Sequence, residues 1–159
     1  MRAKFINESL KDILKPKPED EIIKNLKKLS IKEKNNLLIN AARYGYKDVV
    51  ELLLKARADV DVKDEYGQST LMYAAWNGCK DVAELLIKAG ANINAKDNYG
   101  NSALMKAAAN GHKDIIELLI KAGADIDAKT KSGWNALIYA AHYGYKDVVE
   151  LLKRYGAKE

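Results

Sequence analysis

One pattern recurs four times along this chain at a spacing of 33 residues, and it constrains the fold more than any single residue does. Gly45, Gly78, Gly111 and Gly144 lie in phase. So do Gly67, Gly100 and Gly133, and the pairs Ala41-Ala42, Ala74-Ala75, Ala107-Ala108 and Ala140-Ala141. Self-similarity at such a period marks a stack of identical supersecondary units, each touching only its neighbours. A stack has an extended surface and usually no catalytic pocket, so the period points to binding.

Each unit reads as helix, tight turn, helix and extended finger. In the second unit Ser69 caps a short helix through Leu71-Met72-Tyr73-Ala74-Ala75. Gly78 ends it in a left-handed conformation that costs glycine nothing. Lys80-Asp81 open the next helix, with the acid at the positive end of the dipole. Val82, Leu85, Leu86 and Ile87 form its apolar face. After Gly90 the chain extends through Ala91-Asn92-Ile93-Asn94-Ala95 to a turn at Asp97-Asn98-Tyr99-Gly100. The Ala pairs let helices of adjacent units approach, while Val49-Val50, Ile115-Ile116 and Val148-Val149 fill the space between layers.

The segments Gly67-Gln68-Ser69-Thr70-Leu71-Met72-Tyr73-Ala74-Ala75, Gly111-His112-Lys113-Asp114-Ile115-Ile116-Glu117-Leu118-Leu119 and Ala122-Gly123-Ala124-Asp125-Ile126-Asp127 resemble the ankyrin repeat. The resemblance covers residues 35–159 in about four units, 35–67, 68–100, 101–133 and 134–159, behind a helical leader of residues 1–34. It implies an all-α solenoid of helix-turn-helix units with β-turn fingers. The family's Thr-Pro-Leu-His opening is absent, replaced by Ser69-Thr70-Leu71-Met72, Ser102-Ala103-Leu104-Met105 and Asn135-Ala136-Leu137-Ile138. These starts lack the proline and the histidine network, so apolar contacts are expected to hold them. Arg57 stands where other units carry Gly90, Gly123 and Gly156. If that position keeps a positive φ, Arg57 costs roughly 1 kcal/mol relative to glycine.

The ends read as caps. Lys153 replaces the apolar Leu54, Ile87 and Ile120 of the other units, which is expected of a polar terminal unit closing the array. In the leader, Asn7 is expected to cap a helix with Leu10, Ile13 and Leu14 on one face, interrupted at Lys15-Pro16-Lys17-Pro18. Residues 1–15 either pack or form a mobile arm. Pro18 suits the first position of a second helix, with Glu19, Asp20 and Glu21 at its start and Lys27-Lys28 at its end. Ile22, Ile23, Leu26 and Leu29 share a face, and residues 18–29 are expected to cover the first unit. Ser30 and Glu33 have capping-box spacing.

Charge and composition limit the functional classes. The net charge is +5, of which residues 1–34 carry +4 and residues 35–159 carry +1. A nearly neutral stack lacks the basic field of a nucleic-acid binder. No apolar run reaches the ~18 residues of a membrane span. The N-terminus lacks the apolar stretch of a secretory signal. The single cysteine, Cys79, forms no internal disulfide, and an intracellular, cytoplasmic home is expected.

Sites of chemistry are absent from the sequence pattern. There is no phosphate loop and no His-Glu-x-x-His. His112 shares its repeat position with Tyr46, Cys79 and Tyr145 and reads as structural. His142 is exposed on its helix, with no second ligand at metal spacing. Cys79 has no accompanying base and reads as a quiet thiol. Asp59-Val60-Asp61-Val62-Lys63-Asp64 lacks the glycine and glutamate of a calcium loop. It recurs as Asn92-Ile93-Asn94 and Asp125-Ile126-Asp127, which fits finger residues bonding local backbone. No catalytic residue, cofactor or metal is expected.

The resemblance implies a concave binding face made of finger tips and the outward side of each first helix. Those positions hold Arg43 and Tyr44; Glu65, Tyr66, Gln68, Tyr73, Trp76 and Asn77; Asn98, Tyr99, Asn101, Lys106, Ala109 and Asn110; Lys131, Ser132, Trp134, Tyr139, His142 and Tyr143. Eight of the twelve aromatic residues fall in this set. Rigid amphipathic rings serve interfaces well. Tyr73 and Tyr139, beside the Ala pairs, are equally suited to local packing. Trp76, Trp134 and Tyr143 are expected to anchor a partner, with Gln68, Asn77, Asn101 and Asn110 supplying hydrogen bonds.

The leading expectation is a non-enzymatic module that binds a protein through this face, and a monomer. Single-stranded nucleic acid stacking on the same rings is the alternative, opposed by the neutral stack. The Lys- and Asn-rich composition resembles chains of AT-rich bacterial or phage sources, where such a module could act on a host protein as an effector. A designed repeat is opposed by Arg57, Cys79 and the Lys-Pro-Lys-Pro leader.

Overall fold

Every unit starts its first helix at a side-chain cap and leaves it through a left-handed residue. The computed structural model describes residues 18–158. The described residues form α1 (Glu19–Lys28), α2 (Ile31–Tyr44), α3 (Lys47–Lys55), α4 (Thr70–Trp76), α5 (Lys80–Lys88), α6 (Ala103–Ala108), α7 (Lys113–Lys121), α8 (Ala136–His142) and α9 (Lys146–Arg154). The pairs α2–α3, α4–α5, α6–α7 and α8–α9 stack in order, as expected of an all-α solenoid with turn fingers. Helix α2 begins at Ile31, ahead of position 35. Among the described residues the β pairing is limited to one isolated antiparallel bridge between Lys63 and Ser69. No described helix is long and apolar enough to cross a membrane.

The caps explain where helices begin. Ser30 Oγ accepts from the Glu33 amide at 3.2 Å, and the Ser30 amide donates to the Glu33 carboxylate at 2.8 Å. The hydroxyl of Ser30 donates to the same carboxylate, and these bonds hold the Glu33 carboxyl below its ordinary value. At α4 and α6 a methionine replaces that acid. Ser69 Oγ accepts from the Met72 amide at 3.3 Å, and the Ser69 amide points back at Met72 Sδ at 3.5 Å. Ser102 and Met105 repeat this at 3.4 Å in both directions. Thioether sulfur is a weak acceptor. The cap expected of Ser69 is present; where these starts were expected to rest more on apolar contacts, they also keep a reciprocal bond in which sulfur stands in for carboxylate. At α8, Asn135 Oδ1 accepts from the Ile138 amide at 2.9 Å.

The exits explain the glycines. The amides of Tyr46, Cys79, His112 and Tyr145 each bond back to the first alanine of the preceding pair, at 2.9–3.1 Å. The intervening glycine must then turn left-handed, and Gly45, Gly78, Gly111 and Gly144 all have φ between 72° and 79°. The same bond closes α3, where the Ala58 amide reaches the Leu53 carbonyl at 2.9 Å. It forces Arg57 to φ 65°, the one positive value outside glycine among the described residues.

Close approach then builds the core. Ala41, Ala42, Ala74, Ala75, Ala107 and Ala108 are all fully buried between units. Leu53, Leu86, Leu119 and Leu152 fill the layer behind them. At the first unit, α1 packs on α3 through buried Leu26, with Ile22 and Leu29 beside it. An ion pair of 2.6 Å joins Glu19 to Lys55. Pro18, expected as the first helical residue, sits one position earlier. It acts as the N-cap, and its carbonyl accepts from the amides of Glu21 and Ile22. The helix expected from Asn7, with Leu10, Ile13 and Leu14, lies outside the described residues.

Candidate binding surface

The fingers are tied to one another and to the helices that follow. Asp64 Oδ1 accepts from the amides of Tyr66 and Gln68, closing a turn on its own side chain. Asp97 does the same with Tyr99 and Asn101. At the next finger Thr130 Oγ1 accepts from the Trp134 amide. Adjacent fingers join through the Asn98 amide to the Tyr66 carbonyl at 3.0 Å, and the Lys131 amide to the Tyr99 carbonyl at 3.2 Å. The Asx residues of the recurring finger segments form a ladder. Asp61 accepts from the Asn92 amide, Asn94 from that of Asp125, and Asp127 from that of Lys158. One side-chain oxygen of each accepts from a backbone amide in its own or the neighbouring unit.

On the concave side, Arg43, Tyr44, Gln68, Tyr73, Trp76, Asn77 and Lys106 line a cleft of about 350 Å³. The Arg43 guanidinium lies over the Tyr73 ring, 4.2 Å from its centroid. Tyr73 is fixed in turn by its hydroxyl, which donates to Asp64 Oδ2 at 2.6 Å. Burial, and then the bond to Asp64, push the Tyr73 phenol up in spite of Arg43. Arg43 Nε is buried and meets no hydrogen-bond partner. A buried donor left unmet costs about 1–3 kcal/mol. No ion pair involves Arg43 among the described residues.

The far wall of the cleft is held by a buried ion pair. Lys106 Nζ lies 3.0 Å from Asp97 Oδ2, with Asp97 almost wholly enclosed. Burial alone would raise the Asp97 carboxyl. The Asn101 amide, Lys106 and the Asn101 side chain outweigh it and hold the group below its usual value of 3.8. Lys106 Nζ also lies 5.3 Å from the centre of the Trp76 ring. One lysine thus joins finger, helix and tryptophan.

A second aromatic group stands on the fourth unit. Trp134 meets Tyr139 and His142 edge-on, each at 5.0 Å, and His142 meets Tyr143 at 5.0 Å. Trp134 is half-buried by these contacts, whereas His142 and Tyr143 are exposed. The Tyr139 hydroxyl donates to Asn101 Oδ1 at 2.8 Å, one unit back.

The residues named from sequence therefore divide by use. Tyr44, Glu65, Tyr66, Trp76, Asn77, Tyr99, His142 and Tyr143 are exposed, Tyr99 being the most open of the Tyr and Trp rings at 66%. Arg43, Gln68, Asn101, Asn110 and Trp134 are half-buried. Asn101 is engaged inside the protein, donating to Asp97 and accepting from Tyr139. Asn77 and Asn110 direct their amide donors to carbonyls one turn back, those of Tyr73 and Lys106. The cleft draws Arg43, Tyr44, Gln68, Trp76 and Asn77 together. Trp134, His142 and Tyr143 form the separate group. Sequence reasoning passed over Asp64 and Asp97 as members of this surface. Their spacing of 33 residues, each three positions before a glycine, was the available signal.

The residues of the turns between paired helices have structural uses. His112 Nε2 lies 3.0 Å from the Trp76 carbonyl, and its ring covers Gly78. Cys79 and Tyr145 cover Gly45 and Gly111 in the same way. Burial pushes the Cys79 thiol up, away from the thiolate a nucleophile needs.

A family model described as ankyrin repeats (3 copies) matches residues 6–97 and 95–159. No curated protein matches the chain.

Proposed function

The chain belongs to the ankyrin-repeat family, and on that premise we propose that its concave face binds a protein partner and carries out no catalysis of its own. Ankyrin repeats are generally protein–protein interaction modules. The observation that carries the reading here is the cleft of about 350 Å³ with exposed Trp76 and Tyr44 on its walls. Exposed Tyr66, Tyr99 and Tyr143 extend the same aromatic character beyond it. Large rings held above a rigid backbone give contact area at little entropic cost. The repeats' near-neutral charge favours a protein over nucleic acid. A reducing compartment belongs to the same reading, supported by the free thiol of Cys79.

Affinity capture from a cell lysate tests this. The bait is the wild-type chain beside a Trp76→Ser/Tyr99→Ser/Tyr143→Ser variant with an unchanged circular dichroism spectrum. These three rings are exposed, so their loss leaves the core intact. Trp134 is kept because it packs on Tyr139 and His142. A protein retained by the wild type and lost by the variant supports the concave face. Equal retention moves the site elsewhere.

A further inference from the structure

We propose that the cleft between the first and third units is selective for an acidic segment of the partner, with a carboxylate seated on the Arg43 guanidinium and an apolar neighbour against Trp76. This rests on the protein-binding reading and specifies the occupant of the same site.

Three observations select the carboxylate. The first is charge. Of the two cations lining the cleft, Lys106 is matched by Asp97 at 3.0 Å, whereas Arg43 has no ion pair among the described residues. The nearby Asp64 carboxylate is turned into its finger, where it accepts from two backbone amides and the Tyr73 hydroxyl. The second is bonding capacity. A guanidinium carries five donors; Nε is enclosed and out of a ligand's reach, which leaves the terminal nitrogens of Arg43 to bond one. The third is pre-organisation. Arg43 is stacked on Tyr73, and Tyr73 is anchored to Asp64 at 2.6 Å. A planar donor fork held still suits a planar two-oxygen acceptor. A phosphate would bring about two charges to this one unmatched cation. Trp76 stands on the same cleft with its ring exposed, which places an apolar contact beside the charged one.

The test is fluorescence anisotropy with two pools of labelled, blocked octapeptides. The pools are identical except for Glu or Gln at the central position, flanked by apolar residues. The wild-type chain is expected to bind the Glu pool about tenfold more tightly, the ratio that one charge-assisted contact supports. Arg43→Met should bring the ratio close to one, and Arg43→Lys should restore part of it. Trp76→Ser should weaken both pools together. Circular dichroism and the urea midpoint establish that each variant is folded. Should Arg43→Met fail to fold, the Arg43→Lys ratio carries the test, because charge remains while the fork is lost.

Equal binding of the two pools by the wild type, sensitive to Trp76→Ser, would overturn the acidic selectivity and leave the protein-binding cleft standing. Binding of either pool unaffected by Trp76→Ser would place recognition outside the cleft and overturn both. No binding of the Glu pool at millimolar concentration, or displacement of it by a thymidine oligonucleotide of higher affinity, would also overturn the proposal.

Discussion

The Tyr139 hydroxyl donates to Asn101 Oδ1 across 2.8 Å and 38 positions of sequence, so a helix of the fourth unit grips the finger of the third. Asn101 passes the connection on, because its amide nitrogen contacts both Asp97 oxygens at 3.1–3.2 Å. Asp97 is held in turn by Lys106. A polar chain therefore runs beneath the aromatic face and sets the spacing of its two halves.

Tyr139→Phe removes one neutral hydrogen bond and leaves the ring on Trp134. It should lower stability by about 1 kcal/mol. Asn101→Ala strands the Tyr139 hydroxyl and takes a partner from Asp97, so it should cost about 2–3 kcal/mol. Urea unfolding at equal slope distinguishes the two; equal costs would show that the Asn101–Asp97 link adds nothing beyond the Tyr139 bond.

The buried pair of Lys106 and Asp97 predicts a pH dependence. The Asp97 carboxyl lies below its usual 3.8 in the folded protein. A depressed carboxyl adds stability that is complete above the unfolded value and is lost as pH falls through the folded one. Wild-type stability should therefore decline below about pH 4. Lys106→Met leaves the enclosed carboxylate without its cation and should cost about 3–5 kcal/mol at neutral pH. Acidification through the carboxylate range should narrow that difference, as measured by urea midpoints between pH 3 and 7. A constant difference would contradict the assignment.

Arg57→Gly should stabilise the chain by about 1 kcal/mol, because φ 65° strains a side chain that glycine lacks. The reading is the thermal midpoint. Unchanged or lower stability would show that Arg57 makes compensating contacts.

Much of this was legible beforehand because it is local. The left-handed exits, the Ser30–Glu33 cap and the conformation of Arg57 each follow from a few neighbouring residues. The covering of the first unit by Leu26 was legible because apolar spacing on α1 admits one buried face. The polar partners of the concave face were not. Whether Asn101 meets solvent or Tyr139 depends on how two units stack. Trp134 was expected as an anchor, yet its half-burial arises from His142 and Tyr139 brought over it by the next helix. The sulfur caps of Met72 and Met105 were passed over because Ser-x-x-Met lacks the Glu or Gln of a capping box and thioether sulfur is a weak acceptor.

The same stacking makes two glycines in one register unequal. A Cβ at Gly111 would lie 2.6 Å from the Tyr145 ring, whereas one at Gly144 would meet nothing within 4 Å. Both positions are left-handed, so alanine costs each about 1–2 kcal/mol. Gly111→Ala should lose about 1–3 kcal/mol more, through displacement of Tyr145. Equal losses in urea unfolding would mean that Tyr145 moves aside freely.

The central claim is that recognition occurs on the concave face, and hydrogen exchange of the chain alone and with its captured partner measures this directly. Protection should gather in the fingers and first helices at 40–45, 64–77, 97–110 and 130–143, with α3, α5 and α7 exchanging as in the free chain. Protection confined to α3, α5, α7 or α1, with the fingers unchanged, would contradict it.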